Sequence, residues 1–155
     1  MRAGIGYDIH RLVTGRPLVL GGVEIDYKKG LLGHSDADVL MHSLCDALLG
    51  AAAMGDIGRH FPDSDPAWKD APGIALLEKT WLMVSEKFGE VANIDATIFA
   101  QEPKLSPYTG AMADVISDCL GVGKTRVNIK ATTTEGLGDI GGGLAMAAMC
   151  VVLLE

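Results

Sequence analysis

Cysteine, aromatic residues and positive charge are all scarce in this chain. The three cysteines, Cys45, Cys119 and Cys150, form no CxxC spacing. An odd set without that spacing excludes a disulfide framework and reads as buried thiols in a reducing compartment. Thirteen Lys and Arg face twenty Asp and Glu, for a net charge of -7. With no basic run to offset it, that balance argues against nucleic acid and anionic membrane as partners. No apolar run is long enough to span a bilayer. Nothing at the N-terminus reads as a signal or transit segment, so the cytoplasm is the expected location. An anionic substrate stays open, because metal ions and backbone N–H groups can supply positive field.

Apolar residues make up 48% of the chain. With 155 residues, that share points to one globular domain over residues 1–155, large enough to bury a core. Residues 2–8 read as a strand. "PLVLGGVEI" reads as a β-hairpin, since Gly21-Gly22 supplies the positive φ of a tight turn. In "HSDADVLMHSLCDALLGAAA" the apolar residues recur at helical spacing. Ser35 is the expected N-cap and Asp38 its capping-box partner, for a helix from about Ser35 to about Ala53. "MGDIGRHFPDSDP" reads as a loop. A helical stripe follows between Pro72 and Gly89, then a β-branched strand "VANIDATIFAQ". A third helix is expected from Ser106-Pro107 to Leu120, stopped by Gly121. "TRVNIKATTT" alternates as a strand, and the tail "LAMAAMCVVLLE" is read as a strand. The order implies an α/β (α+β) two-layer sandwich: a mixed sheet with helices on one face and a β-hairpin insertion.

"GYDIHRL" carries the first chemical signal. In a strand, Asp8 and His10 project to one face. Such a pair is a surface salt bridge, an acid–base pair or two ligands of a metal. Asp38, His42 and Asp46 share a helix face. If His42 meets Asp8 and His10, one carboxylate and two imidazoles with a fourth position open make a catalytic zinc pattern. Asp56, Asp63 and Asp65 fall in the loop, where they are ordinary turn residues or acceptors for polyol hydroxyls. In "KATTTEGLGDIGGG", Thr132, Thr133 and Thr134 leave a strand end beside Glu135. Hydroxyls and backbone N–H groups there suit a diphosphate, and Glu135 suits a hard divalent cation. Lys104, in "AQEPKLSP", is a solvated lysine or a phosphate contact.

Taken together, "GYDIHRL", "LLGHSDADVLMHSLCDALLGAAAMGDIGRHFPDSDP", "AQEPKLSP" and "NIKATTTEGLG" resemble the 2-C-methyl-D-erythritol 2,4-cyclodiphosphate synthase family. The likeness runs from Met1 to about Gly138 with order and spacing kept. It implies a homotrimer with active sites between subunits and a small-molecule cytidine diphosphate substrate. It implies Zn2+ on Asp8, His10 and His42, and Mg2+ or Mn2+ on Glu135. His34 and Thr133 match the residues that support the transition state. Substrate contacts are implied for Asp8, His10, His34 and Ser35, and for Asp56, Ile57 and Gly58. They are implied also for the loop Phe61, Pro62, Asp63, Ser64 and Asp65. The cytidine and phosphate pocket is implied at Ala100, Gln101, Pro103, Lys104, Leu105 and Ser106, and at Ala131, Thr132, Thr133, Thr134 and Glu135. A metal-dependent phosphohydrolase and a non-catalytic metal-binding scaffold are the competing readings.

The likeness lapses after Gly138. Where members of that family carry an aromatic residue near Asp139, an arginine at Gly142 and a glutamate at Leu144, this chain reads "GDIGGGLAMA". The arginine helps bind phosphate groups at the trimer axis, so isoprenoid diphosphates are expected to bind weakly here. Calorimetry with farnesyl diphosphate is expected to show no tight binding.

Overall fold

The computed structural model describes residues Met1–Glu155. The strands are β1 Arg2–Thr14, β2 Leu18–Leu20, β3 Val23–Ile25, β4 Lys29–Leu32, β5 Val91–Phe99, β6 Val127–Thr132 and β7 Ala145–Leu154. The helices are α1 Val39–Ala51, α2 Ile57–His60, α3 Gly73–Ser85, α4 Thr109–Leu120 and α5 Gly138–Gly141. Five strands form one mixed sheet in the order β4-β1-β7-β5-β6, with only β5 and β6 parallel. β2 and β3 pair antiparallel across Gly21 and Gly22, whose φ values of 58° and 72° are those of a tight two-residue turn.

The longer helices cover one face of the sheet. α1 packs on β1 and β7 and is covered in turn by α3, while α4 packs on β6. Being enclosed on both sides, α1 is apolar nearly all round. Of its residues only His42, Asp46 and Gly50 escape burial, and their spacing of four makes one open stripe. The opposite sheet face is bare: Ile5, Tyr7 and Ile9 on β1, with Met149 and Val151 on β7, are exposed there.

The approach of α1 to β1 depends on atoms that are absent. A Cβ on Gly6 would overlap the Ser43 carbonyl oxygen and lie 2.8 Å from Ala47 N; one on Gly4 would overlap the Ala47 carbonyl and lie 2.9 Å from Ala51 Cβ. Asp38 fixes the start of α1. Its buried carboxylate accepts the amides of Leu40 and Met41, both at 3.1 Å, and those of Gly21 at 3.0 Å and Gly22 at 2.8 Å. One side chain thus caps the helix and ties the β2–β3 turn to it.

Several expectations need correction. α1 begins at Val39 and its N-cap is Asp38, not Ser35. Ser35 and Asp36 make turns of their own, accepting the amides of Ala37 and Asp38, and Ala37 has φ 59°. These local bonds outcompete a helical start. At its other end Ala53, φ 56°, keeps the helix from reaching that residue. β1 runs on to Thr14 because its second half pairs with β4, a strand the sequence reading omits. α2 and α5 lie inside expected loops, and α4 starts three residues later than Ser106. The tail is a strand, flanked by β1 and β5, and Gly121, φ 67°, stops α4.

Cys45 and Cys150 are buried and Cys119 half-buried, all as free thiols. Burial pushes the thiols of Cys45 and Cys150 up to about 12.

Gly6→Val is expected to cost about 3 kcal/mol or more, because the clash is with backbone rather than a movable side chain. Gly110→Ala, with open space around its Cβ in α4, is expected to stabilise by about 0.5 kcal/mol. Urea unfolding midpoints check both.

Candidate metal centre and ligand clefts

Asp8 and His10 lie midway along β1 on its helix-facing side, and His42 reaches them from α1. Asp8 Oδ2 lies 3.1 Å from His10 Nε2 and 3.0 Å from His42 Nδ1. The two imidazoles stand edge to face, 5.6 Å between centroids. One ligand atom from each residue falls within 4.8 Å of the others. Three lone pairs aimed at one point repel unless a cation sits among them, a proton or a metal.

The outer nitrogens of both rings decide which form is set up. His10 Nδ1–H donates to the Leu32 carbonyl at 2.9 Å, which leaves the Nε2 lone pair facing Asp8. His42 Nε2 pairs with Ser35 Oγ at 3.0 Å, a hydroxyl able to accept from Nε2–H and so leave the Nδ1 lone pair for a metal. For His10 the partner, a carbonyl, fixes the tautomer; for His42 the hydroxyl accommodates the tautomer that a metal on Nδ1 requires. Such outer partners are what orient metal-binding histidines. Gly33 gives the His10 ring its room: a Cβ there would lie 3.1 Å from His10 Cε1. Ser35 is itself locked, by the Ala37 amide at its hydroxyl and by Arg16 Nη2 at its carbonyl. Where a proton takes the place of the cation between them, burial still acts to raise the Asp8 carboxyl, but N–H donation and charge from the His10 and His42 rings outweigh it and hold it well below the usual carboxylate range. His10 is raised, chiefly by its hydrogen bond to Asp8.

The centre forms one wall of a cleft of about 510 Å³. His34, Ser35, Ile57, Gly58, Phe61, Pro62 and Asp63, for which the resemblance implies substrate contacts, line it, and His34 Nε2 is buried there without a partner. A buried, unpaired imidazole nitrogen beside a cleft is a group waiting for a ligand. Asp56 caps α2 through the Arg59 amide, and Asp65 caps the turn at Pro66 through the Ala67 amide. Sequence reasoning missed Trp68 and Leu76 as lining residues. Trp68 stacks edge-on against Phe61 at 4.9 Å. No local pattern marks either residue, since folding alone brings them there. Asp46, noted in sequence only for its shared face, also lines the cleft; burial and the charges of Asp56 and Asp8 push its carboxyl up.

A second cleft, of about 450 Å³, joins the turn from Ala100 to Ser106, Lys104 included, with Ala131, Thr132 and Thr133. Ala100 N–H donates to the Thr132 carbonyl, and Gly136 N–H to Gln101 Oε1, so turn and strand end are stitched together. Thr133 Oγ1–H donates to Glu135 Oε1 at 2.9 Å, with Glu135 at φ 52°. Thr134 is engaged with the Leu137 carbonyl. The two clefts share no residue. Sheet register places Ile9, Ala147, Phe99 and Thr132 in one row. Three strand spacings separate its ends, about 14 Å. Within one chain, Thr133 and Glu135 are therefore not brought to His34 and the metal ligands.

A family model described as the YgbB family matches residues 1–155. The chain belongs to the YgbB family. Among YgbB-like relatives, a protein of Desulfatibacillum aliphaticivorans named 2-C-methyl-D-erythritol 2,4-cyclodiphosphate synthase is 58% identical over 155 residues, covering 100% of both chains. A solved structure of a synthase of that name, in a CDP-bound form, superposes with TM-score 0.90 at 37% identity, covering 99% of this chain and 100% of the other. The bifunctional IspDF of Campylobacter jejuni matches with TM-score 0.93 and 46% identity over 97% of this chain, which spans 41% of that longer protein. The metal-site ring orientation gives this YgbB member a direct test. Ser35→Ala is expected to weaken zinc binding about 10- to 100-fold by freeing the His42 ring, read by competition with a chromophoric chelator.

Proposed function

We propose that this chain, acting over residues 1–155 as one catalytic domain, is a cyclodiphosphate synthase of non-mevalonate isoprenoid biosynthesis. It converts 4-diphosphocytidyl-2-C-methyl-D-erythritol 2-phosphate to 2-C-methyl-D-erythritol 2,4-cyclodiphosphate and CMP. Relatives of that name over the whole chain support the reading. The observation that carries it is the Asp8–His10–His42 cluster with its two oriented rings, set in a cleft beside the unpaired His34. One carboxylate and two imidazoles fit Zn2+ with an open position.

The nucleophile belongs to the substrate. An oxygen of its 2-phosphate attacks the β-phosphorus, the bridging P–O bond breaks, and CMP departs with the electron pair. The eight-membered ring closes without an added base. Positioning and charge neutralisation then supply most of the catalysis. Zinc, when bound, supplies Lewis-acid polarisation of a phosphate oxygen. His34 and Thr133 donate to the charge that develops on the phosphates. Asp56, Ile57 and Gly58, with Ser35, Phe61, Pro62, Asp63, Ser64 and Asp65, hold and cover the polyol. Ala100, Gln101, Pro103, Lys104, Leu105 and Ser106 take cytidine and its phosphates. Ala131, Thr132, Thr134 and Glu135 complete that side, with Glu135 as ligand to Mg2+ or Mn2+. Two divalent cations let an acidic chain accept a polyanion.

A homotrimer with its active sites between subunits reconciles the two clefts. The metal half of one subunit meets the cytidine half of the next. Support comes from the bare sheet face, where Ile5, Tyr7 and Ile9 are 64%, 50% and 45% exposed in a single chain. Contiguous apolar surface of that kind marks an interaction face. No helix is long and apolar enough to cross a membrane, and a cytoplasmic location suits this chemistry.

Phosphorus NMR of the protein with that substrate, zinc and manganese, quenched with chelator, is expected to show coupled cyclic-diphosphate signals with CMP. An open phosphate product would mean a hydrolase, and an unchanged spectrum a scaffold. His42→Ala is expected to lose zinc and activity together; zinc at full stoichiometry in that variant would overturn the ligand set. Mixing His42→Ala with Lys104→Ala subunits is expected to restore about one quarter of wild-type activity, as shared sites in a randomly mixed trimer require.

A further inference from the structure

Asp46 lies one turn beyond His42 on the open stripe of α1. It lines the metal cleft but stands outside the ligand cluster. Its Oδ1 accepts the backbone N–H of Ile57, the first residue of α2, at 2.7 Å. Asp56, just before, caps α2 through the Arg59 amide at 2.9 Å. The Asp56–Gly58 segment is thus held twice, by its own cap and by the helix that carries a metal ligand. Burial, with the charges of Asp56 and Asp8, opposes ionisation of Asp46, and the Ile57 amide it accepts works the other way.

We propose that Asp46 is a positioning residue that fixes the Asp56–Gly58 segment relative to the metal centre, and so sets the distance between the substrate's polyol and its phosphates. The inference rests on the cyclodiphosphate synthase reading. Ring closure needs the 2-phosphate oxygen and the β-phosphorus in line, and both depend on how the connecting polyol is held. α1 carries both fixed points. His42 at one turn sets the phosphate end, and Asp46 at the next sets the polyol end. A displacement of about 1 Å between them costs on the order of 100-fold in rate.

The test compares Asp46→Ala and Asp46→Asn in zinc-loaded protein with the cytidine diphosphate substrate. In Asp46→Ala, kcat is expected to fall about 100-fold while KM stays within about threefold. Zinc stoichiometry is expected to stay that of wild type, and the Ile57 amide to lose protection from hydrogen exchange. Asp46→Asn keeps a carbonyl oxygen for the Ile57 amide, so it is expected to recover most of both kcat and protection. A kcat within threefold of wild type in Asp46→Ala, or an Asp46→Asn as impaired as Asp46→Ala, overturns the assignment. If the wild-type chain forms no cyclic product, the synthase reading falls. The positioning role is then judged by Ile57 alone, where unchanged protection in Asp46→Ala overturns it.

Discussion

The close seat of α1 on β1 is the constraint from which the rest of the molecule follows. Two of the three candidate metal ligands belong to the strand and the third to the helix, so the centre exists only at one separation of the two. That separation is set by Gly4 and Gly6, where helix carbonyls occupy the space a side chain would need. Asp38 fixes the helix at its start, binding two helix amides and two turn amides at once. Packing precision, rather than any one strong bond, then holds His42 3.0 Å from Asp8. The same helix is sealed on both sides except along His42, Asp46 and Gly50. Its polar groups emerge only where the cleft opens.

Electrostatics work in the same direction. The chain is acidic, and its clearest cluster of convergent ligands is a carboxylate with two imidazoles. Leu32 and Ser35 hold the outer nitrogens of the rings, so the inner nitrogens face Asp8 together before any ligand arrives. Preorganisation of this kind lowers the cost of binding a cation, because orientation is settled during folding. Toward the other edge of the sheet the second cleft has its own stitching, through Ala100, Gln101 and Gly136. Each cleft is held by hydrogen bonds of its own, and the sheet leaves an apolar strand face exposed at Ile5, Tyr7 and Ile9.

Much of this was legible in the sequence, wherever a local rule had no competitor. The period of a strand put Asp8 and His10 on one face, and the Gly21-Gly22 and Gly121 turns behaved as their backbone freedom requires. Local reading failed where short polar side chains had a choice. Ser35 looks like an N-cap, but it bonds the Ala37 amide and His42 instead, and Asp38 takes the cap. β4 is four residues long, too short for a period to declare itself, and it exists because β1 continues past His10 to pair with it. Trp68 and Leu76 reach the cleft through tertiary packing and carry no signal of their own. The gap between Thr133 and His34 lies beyond any reading of one chain if the site is completed by a neighbour.

The buried thiols have a consequence of another kind. Cys45 and Cys150 sit in the layer packed around α1, Cys150 against Ser43 on the sheet side and Cys45 against Thr80 on the α3 side, with ionisation of both pushed up to about 12. A thiol-modifying reagent meets neither accessible sulfur nor thiolate while that layer is closed. The rate at which these two sulfurs are labelled therefore counts openings of the core itself. The protein carries an internal stopwatch, started by no added probe, for the moments when α1 parts from its neighbours.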